Sequence, residues 1–343
     1  QPLFARRISS GMKSKLASCF VAAIVTAALF MSGTAAAASF VLPPPDIDVI
    51  GATSTVRARE EDTLLDIARE HGLGYEDIVR ANPDTDPWLP GEGTEVLLPT
   101  RFILPPGPRK GIVLNLPELR MYYYPPAKSG EVPMVETHPI SIGRMDWATP
   151  LGQTKIVTKV RNPAWYPPES IRKEHAEDGD ILPNVVPPGP DNPLGGFAMR
   201  LSIPGYLIHS TNKPAGVGMR VTHGCIRMYP ENIEALFEVV PVGTPVRIIN
   251  EPYKVGWSVD SLYLEAHPPL DEDAERIGRD LTIVTELLAK ATSERNIAVD
   301  WDRIGTIFET ANGVPGSMAA IDAAPIRVSN DDAAATEREQ NSL

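Results

Sequence analysis

Proline restricts this chain more than any other feature, with 35 of them among 343 residues. Each removes a backbone donor and disrupts a helix interior or a central strand. At that density they exclude a bundle of long helices and favour short strands, tight turns and ordered loops. The intervening segments agree. Residues 111–116, 120–124, 136–142, 152–160, 198–201, 206–209 and 244–250 are short and bounded by Gly and Pro turns. Their regular spacing predicts a sandwich or barrel over residues 110–250. One helix is expected after Cys225, with Ile233, Leu236 and Phe237 inward. Residues 161–196, including Trp165-Tyr166-Pro167-Pro168, form a long irregular stretch predicted to wall or cover a site.

Composition removes several functional classes. Lys and Arg total 32 against 44 Asp and Glu, a net charge of −12. Phosphate-binding proteins need a basic face, so no nucleic-acid partner is expected. A hydrophobic content of 43% supports a real core and excludes a wholly disordered chain. Two cysteines, Cys19 and Cys225, exclude a disulfide scaffold.

Residues 1–38 carry Arg6, Arg7, Lys13 and Lys15 and no acid, then an apolar run from Leu16 to Met31, then small residues. This is the pattern of an export signal. The run is short for a membrane anchor, so cleavage with no lasting span is expected. Leu16-Ala17-Ser18-Cys19 has the look of a lipoprotein cleavage box, but it opens the apolar run where such a box would end it. Cleavage would leave Cys225 as the sole thiol.

Residues 39–53 are expected to be a Pro-rich linker. Residues 54–99 read as β-α-α-β. Thr63 caps a first helix with Asp66 three residues on, as in a capping box. A second helix runs from about Tyr75 to Ala81 and stops at Asn82-Pro83. A unit this small, without a cluster of reactive groups, suits binding. Residues 251–329 are predicted to be a partly helical extension. Ile277, Leu281, Val284 and Leu288 form one apolar stripe there; Ile304, Ile307, Phe308 and Ala311 form another. Residues 330–343 are expected to be a disordered tail.

The candidate chemistry lies in Ile208-His209-Ser210-Thr211 and Thr222-His223-Gly224-Cys225-Ile226-Arg227. A cysteine nucleophile needs a thiolate, which a nearby imidazole can generate. His209 ends a predicted strand, and His223 precedes Cys225 by two residues, a spacing that aims both side chains one way in extended backbone. Gly224 allows close backbone approach, and adjacent N–H groups can hold an oxyanion. These residues by themselves leave three readings open: a catalytic thiol, a structural buried cysteine, and a zinc site, for which His-Gly-Cys is a tight spacing.

Two resemblances narrow the choice. Glu61-Asp62-Thr63-Leu64, Ile67-Ala68, Ile78 to Pro83 and Leu97-Leu98-Pro99 make residues 54–99 similar to a LysM domain, although Glu61 stands where that family often has Gly. This implies binding of glycan strands containing N-acetylglucosamine through the loops at Asp62, Thr63, Leu64 and Asn82. His209, then a spacer, then Thr222-His223-Gly224-Cys225 resembles the catalytic motif of the L,D-transpeptidase family, the YkuD-type domain, over residues 110–250. Arg227 stands where that family often has Asn, which bears on subfamily.

The second resemblance implies a mainly β catalytic domain, a mixed-sheet β-sandwich with small helices, between the βααβ module and the helical extension. It implies that Cys225 attacks a tetrapeptide stem of peptidoglycan at its third residue, releases D-Ala and holds the acyl group as a thioester. An amine then accepts it, giving a 3→3 cross-link. His209 would be the acid/base and His223 a support. Ser210 and Thr222 would steer the histidines, and the Gly224 and Cys225 N–H groups would form the oxyanion hole. Arg220 and Arg227 are candidates to bind a substrate carboxylate. No metal or organic cofactor is implied, and the address is the periplasm or cell wall of a bacterium. A lipoprotein lysine or water are alternative acceptors. An unrelated cysteine peptidase would usually place its histidine downstream, where only His267 stands. A wall-binding structural protein with an inert thiol is the non-enzymatic alternative.

Overall fold

A computed structural model describes residues 38–319 except 278–280, 294 and 296. The expected export signal and C-terminal tail therefore lie outside the described residues, save Ala38. The N-terminal part contains β1 (Ala38–Val41), β2 (Val49–Gly51), β3 (Ser54–Arg57), α1 (Leu64–Glu70), α2 (Tyr75–Ala81), β4 (Glu95–Leu98) and β5 (Arg101–Ile103). The central part has β6 (Gly111–Asn115), β7 (Arg120–Tyr124), β8 (Met134–Pro139), β9 (Ile142–Gly143) and β10 (Gly152–Arg161). It continues through α3 (Glu169–Glu177), β11 (Phe197–Leu201), β12 (Leu207–His209), β13 (Arg220–Thr222), β14 (Ile226–Arg227), α4 (Pro230–Val239) and β15 (Pro245–Ile249). The last part holds β16 (Tyr253–Trp257), β17 (Leu262–Ala266), α5 (Thr282–Ala291), α6 (Trp301–Thr310) and β18 (Gly316–Ser317). No described helix is long and apolar enough to cross a membrane.

Nine strands join one mixed sheet in the order β1-β8-β7-β6-β15-β10-β11-β12-β14. The β6/β15 and β12/β14 pairs are parallel, and the others are antiparallel. Ile112, Leu114, Met121 and Tyr123 from one end of this sheet share a core with Ile208, Ile226 and Met228 from the other, closed by Ile233, Leu236 and Phe237 of α4. The sheet therefore curls around its core. The mixed-sheet, mainly β expectation holds, but the sandwich does not: among the described residues no second sheet of comparable size faces this one.

β6 and β7 are buried along their whole lengths because both faces are covered. Val113, Tyr122 and Tyr124 point away from the main core and pack on Leu64, Ile67, Ile78 and Val96 of the 54–98 unit. That unit has the predicted β-α-α-β order, with β3 and β4 antiparallel. Its capping box forms as expected: Asp66 N–H donates to Thr63 Oγ1 at 3.1 Å and Thr63 N–H to Asp66 Oδ2 at 3.0 Å. It is docked firmly. The first two N–H groups of α2, from Tyr75 and Glu76, donate to the Val217 and Gly218 carbonyls at 3.0 and 3.2 Å. A Cβ on Gly74 would lie 2.6 Å from the Gly218 Cα, so only a glycine pair permits this approach. Arg69 grips Glu231, at the start of α4, through two hydrogen bonds of 2.7 and 2.8 Å.

One expectation is corrected and another extended. Residues 39–53 are not a linker: β1 extends the main sheet beside β8, and β2 pairs with β5. Phe40 and Ile50, buried against Phe102, hold them there. The C-terminal extension carries helices as expected, α5 and α6, and also a sheet that the apolar stripes did not indicate. β16, β17 and β18 form an antiparallel sheet, and α5 and α6 pack on it through Val284, Leu288, Ile304 and Phe308. The alternation of the β16/β17 hairpin is brief and interrupted by Lys254 and Glu265, which are polar yet buried.

Candidate active site

Ile208 and Ile226 lie opposite each other in the parallel β12/β14 pair and face the core. Side chains alternate along a strand. His209, Arg227 and Cys225, the residue before β14, therefore share the opposite face. This is the physical origin of the site: apolar residues anchored in the core set the phase that aims three reactive ones together.

Cys225 Sγ lies 3.6 Å from the Gly205 carbonyl oxygen. Burial raises the thiol pKa, which the Leu207 N–H partly offsets. The thiol is thus neutral at rest and needs a base. His209 is 5% exposed, and its Nδ1 lies 2.6 Å from the Ser210 carbonyl oxygen. An Nδ1–H donated there leaves Nε2 as the basic nitrogen. Burial, followed by the Arg227 charge, pushes this imidazole down to about 4, against the opposing Ser210 carbonyl. His209 is therefore neutral at pH 7. Among the described residues no hydrogen bond joins either imidazole to Cys225 Sγ, a loose arrangement common before substrate arrives.

The turn before the nucleophile is tightly fixed. Gly224 has φ +96°, and a Cβ there would lie 2.9 Å from the Tyr206 ring. Thr222 Oγ1 donates to the Cys225 carbonyl at 2.6 Å and accepts from Gly224 N–H at 3.2 Å. Thr149 Oγ1 donates to the Gly224 carbonyl at 2.8 Å. Thr222 thus shapes the turn instead of steering a histidine. Gly224 N–H is already engaged, leaving Cys225 N–H as the remaining candidate of the expected oxyanion pair. Ser210 acts on His209 through its carbonyl, not its hydroxyl.

His223 faces residues 161–196. Its Nε2 lies 3.2 Å from Glu174 Oε2 on α3 and 3.4 Å from Arg144 Nη1. Glu174 also accepts from Trp147 Nε1 at 3.1 Å and from Arg144 Nη2. Burial, Arg144, His175 and Arg227 lower the His223 pKa to about 4; the carboxylate contact works in the opposite direction. The long segment does reach the site, but Glu174, Arg144 and Trp147 were not singled out from sequence, because each is an ordinary surface residue type with no spacing signal.

The two arginines differ. Arg220 ion-pairs with Asp271 and Glu272 of the extension at 3.2 and 3.0 Å and donates to the Gly143 carbonyl. With its charge already matched, it is corrected from carboxylate binder to structural link. Arg227 makes no ion pair among the described residues, and its buried Nε has no hydrogen-bond partner. Of the two guanidiniums it is the one with no matching carboxylate among the described residues.

Three of the expected glycan contacts are also corrected. Leu64 is 0% exposed in the core of the 54–98 unit. Buried Asp62 accepts from Arg59, and buried Asn82 bonds Ile78 and Leu97 backbone atoms. These residues build the fold, and Thr63 is the helix cap. The exposed apolar residues of the unit are Trp88 and Leu89, at 57% and 78%, in the loop after α2. His267 sits 2.7 Å from buried Glu265 and is no partner for Cys225.

The L,D-transpeptidase catalytic domain model, YkuD, matches residues 109–248. Probable L,D-transpeptidase ErfK/SrfK of Escherichia coli K12 is 37% identical over 302 residues, covering 86% of this chain and 95% of that protein. Probable L,D-transpeptidase YbiS of the same strain is 36% identical over 309 residues, covering 89% and 99%. Probable L,D-transpeptidase YcfS, also of that strain, is 40% identical over 252 residues, covering 72% and 78%.

Proposed function

The chain belongs to the L,D-transpeptidase family, and on that premise we propose that Cys225 is the nucleophile of a peptidoglycan transpeptidase working outside the cytoplasm. The observation that carries this reading is the shared face of Cys225, His209 and Arg227, set by the core anchors Ile208 and Ile226. His209, neutral at pH 7, takes the thiol proton. The thiolate attacks the carbonyl of the third residue of a tetrapeptide stem, and Cys225 N–H faces the developing oxyanion. The imidazolium returns its proton to the leaving D-Ala nitrogen, and the acyl group rests on sulfur. Unpaired Arg227 binds a stem carboxylate. An amine of a second stem then takes the acyl group, giving a 3→3 link; a lipoprotein lysine or water are the other acceptors.

In the same reading the 54–98 unit is a LysM-type module that holds the glycan strand. Exposed Trp88 supplies an apolar face for a sugar ring, and Leu89 extends it.

Mass spectrometry of the protein with disaccharide-tetrapeptide tests the reaction. A cross-linked dimer made by the native chain, and by neither Cys225→Ala nor His209→Ala, is the expected result. Tripeptide without dimer would favour water as acceptor. An unchanged substrate, with and without a lipoprotein acceptor, would favour a wall-binding protein with an inert thiol.

A further inference from the structure

The contacts of His223 identify a residue that the reaction as described does not use. His209 is buried, whereas the His223 side chain is 24% exposed. Of the two imidazoles, His223 is the one an amine arriving from solvent can meet. Its Nε2 meets both Glu174 of α3 and Arg144, with the Trp147 ring edge-on at 5.2 Å and His175 at 6.1 Å. Arg227 adds a further cation. The two groups nearest Nε2 dictate opposite tautomers. Donation to the Glu174 carboxylate requires Nε2–H and leaves Nδ1 basic. Acceptance from Arg144 requires a bare Nε2. Glu174 is itself fixed by Trp147 Nε1–H and by Arg144, which turns the guanidinium toward the carboxylate.

We infer that Glu174 is a positioning residue for acyl transfer: it holds His223 as the Nε2–H tautomer, so that Nδ1 receives the proton of the acceptor amine. This rests on the proposed thioester at Cys225. In that step the amine nitrogen bonds the thioester carbonyl carbon and the carbon–sulfur bond breaks. The nitrogen proton passes to His223 and from there to the Cys225 sulfur, so the thiol is restored. A carboxylate behind an imidazole fixes its tautomer and stabilises the imidazolium that forms. The segment carrying α3 would thus act mainly on the second half of the reaction and favour an amine over water.

The test separates the two halves. Acylation is followed by mass spectrometry with a carbapenem, and transfer by the rate at which a stem-peptide acyl-enzyme yields dimer against tripeptide. The tautomer is read by 15N NMR of the His223 ring, assigned with His223→Gln. Native protein should show Nε2–H. Glu174→Ala should release that tautomer and lower transfer at least tenfold more than acylation, raising the tripeptide share. Glu174→Gln, whose side-chain oxygen still accepts, should keep the tautomer and recover part of the rate. Nδ1–H in the native ring would overturn the inference. So would equal losses in acylation and transfer, or a Glu174→Ala protein with native tautomer and dimer yield. A native protein that no carbapenem acylates would count against the thiol reading itself, which the Cys225→Ala comparison checks separately.

Discussion

Two groups of ionisable residues stand in this chain, and they are wired in opposite ways. At the junction of the 54–98 unit, the curled sheet and the C-terminal extension, buried charges are matched. Lys254 Nζ bonds Glu118 at 2.8 Å, Glu265 at 2.9 Å and the Ile103 carbonyl at 2.6 Å. Glu265 takes His267 at 2.7 Å, Tyr122 donates to Glu118, and Arg120 pairs with Asp77 at 2.6 Å and stacks on Phe102. Glu118, Glu265 and His267 are close enough to suggest a metal site, but the Lys254 ammonium already bridges the two carboxylates. In the candidate active site, buried His209 and half-buried Cys225 and Arg227 stand together without an ion pair among them. Matched charges lock three parts of the chain together; in the proposed reaction the unmatched ones serve a substrate.

The difference can be broken at either end. Cys225→Ala should abolish dimer formation, a loss of at least about a thousandfold, while leaving the denaturation midpoint within error, since catalytic groups acting as a unit dominate rate and not stability. Lys254→Met should do the reverse. Stranding Glu118 and Glu265 should lower unfolding free energy by about 3–5 kcal/mol in urea titrations. The specific activity of the protein still folded should stay near native.

Acid should separate the two groups. His209 is held near 4 when folded, below its ordinary value of about 6.5, so the unfolded state binds the extra proton. Stability therefore falls as pH drops from about 6.5 toward 4, by on the order of 3 kcal/mol. His209→Gln should flatten that slope in denaturation curves taken across the window; buried His138 and half-buried His223, both also lowered, would supply what remains. Glu118 is shifted below the ordinary carboxylate range, with Lys254 the largest lowering influence. Its contribution is intact above about 4.3 and is lost only as pH falls further.

Smaller effects refine the contrast. Arg227→Gln should raise KM for the tetrapeptide about tenfold, roughly 1.4 kcal/mol, with little change in melting temperature. It should also shift the His209 titration upward, because a neighbouring cation is gone. Thr63→Ala, far from either group in chemical character, removes a helix cap and should cost about 1 kcal/mol with unchanged kinetics.

Much of this was legible in the sequence. Strand β7 falls at the predicted residues, as does α2, because Pro and Gly punctuation and the Asn82-Pro83 stop act locally. The Thr63/Asp66 capping box is local in the same sense. The His209 to Cys225 motif was readable because chemistry restricts which residue types can stand there. The sequence alone therefore determined the short-strand architecture, the β-α-α-β unit and the candidate nucleophile with its two histidines. It could not assign the partners of those residues. Arg220 and Arg227 are alike in sequence, yet one meets Asp271 and Glu272 and the other meets no acid among the described residues. Asp62 and Asn82 are polar residues near turns whose burial depends on Arg59 and β4. Lys254 and Glu265 broke a strand pattern, and only the arrival of Glu118 from another part of the chain makes their burial tolerable. Such pairings are long-range, and burial either locks an ordinary surface charge to a partner or shifts its proton affinity. Tertiary structure decided these roles, because the energy of a charge is set by its surroundings and not by its own identity.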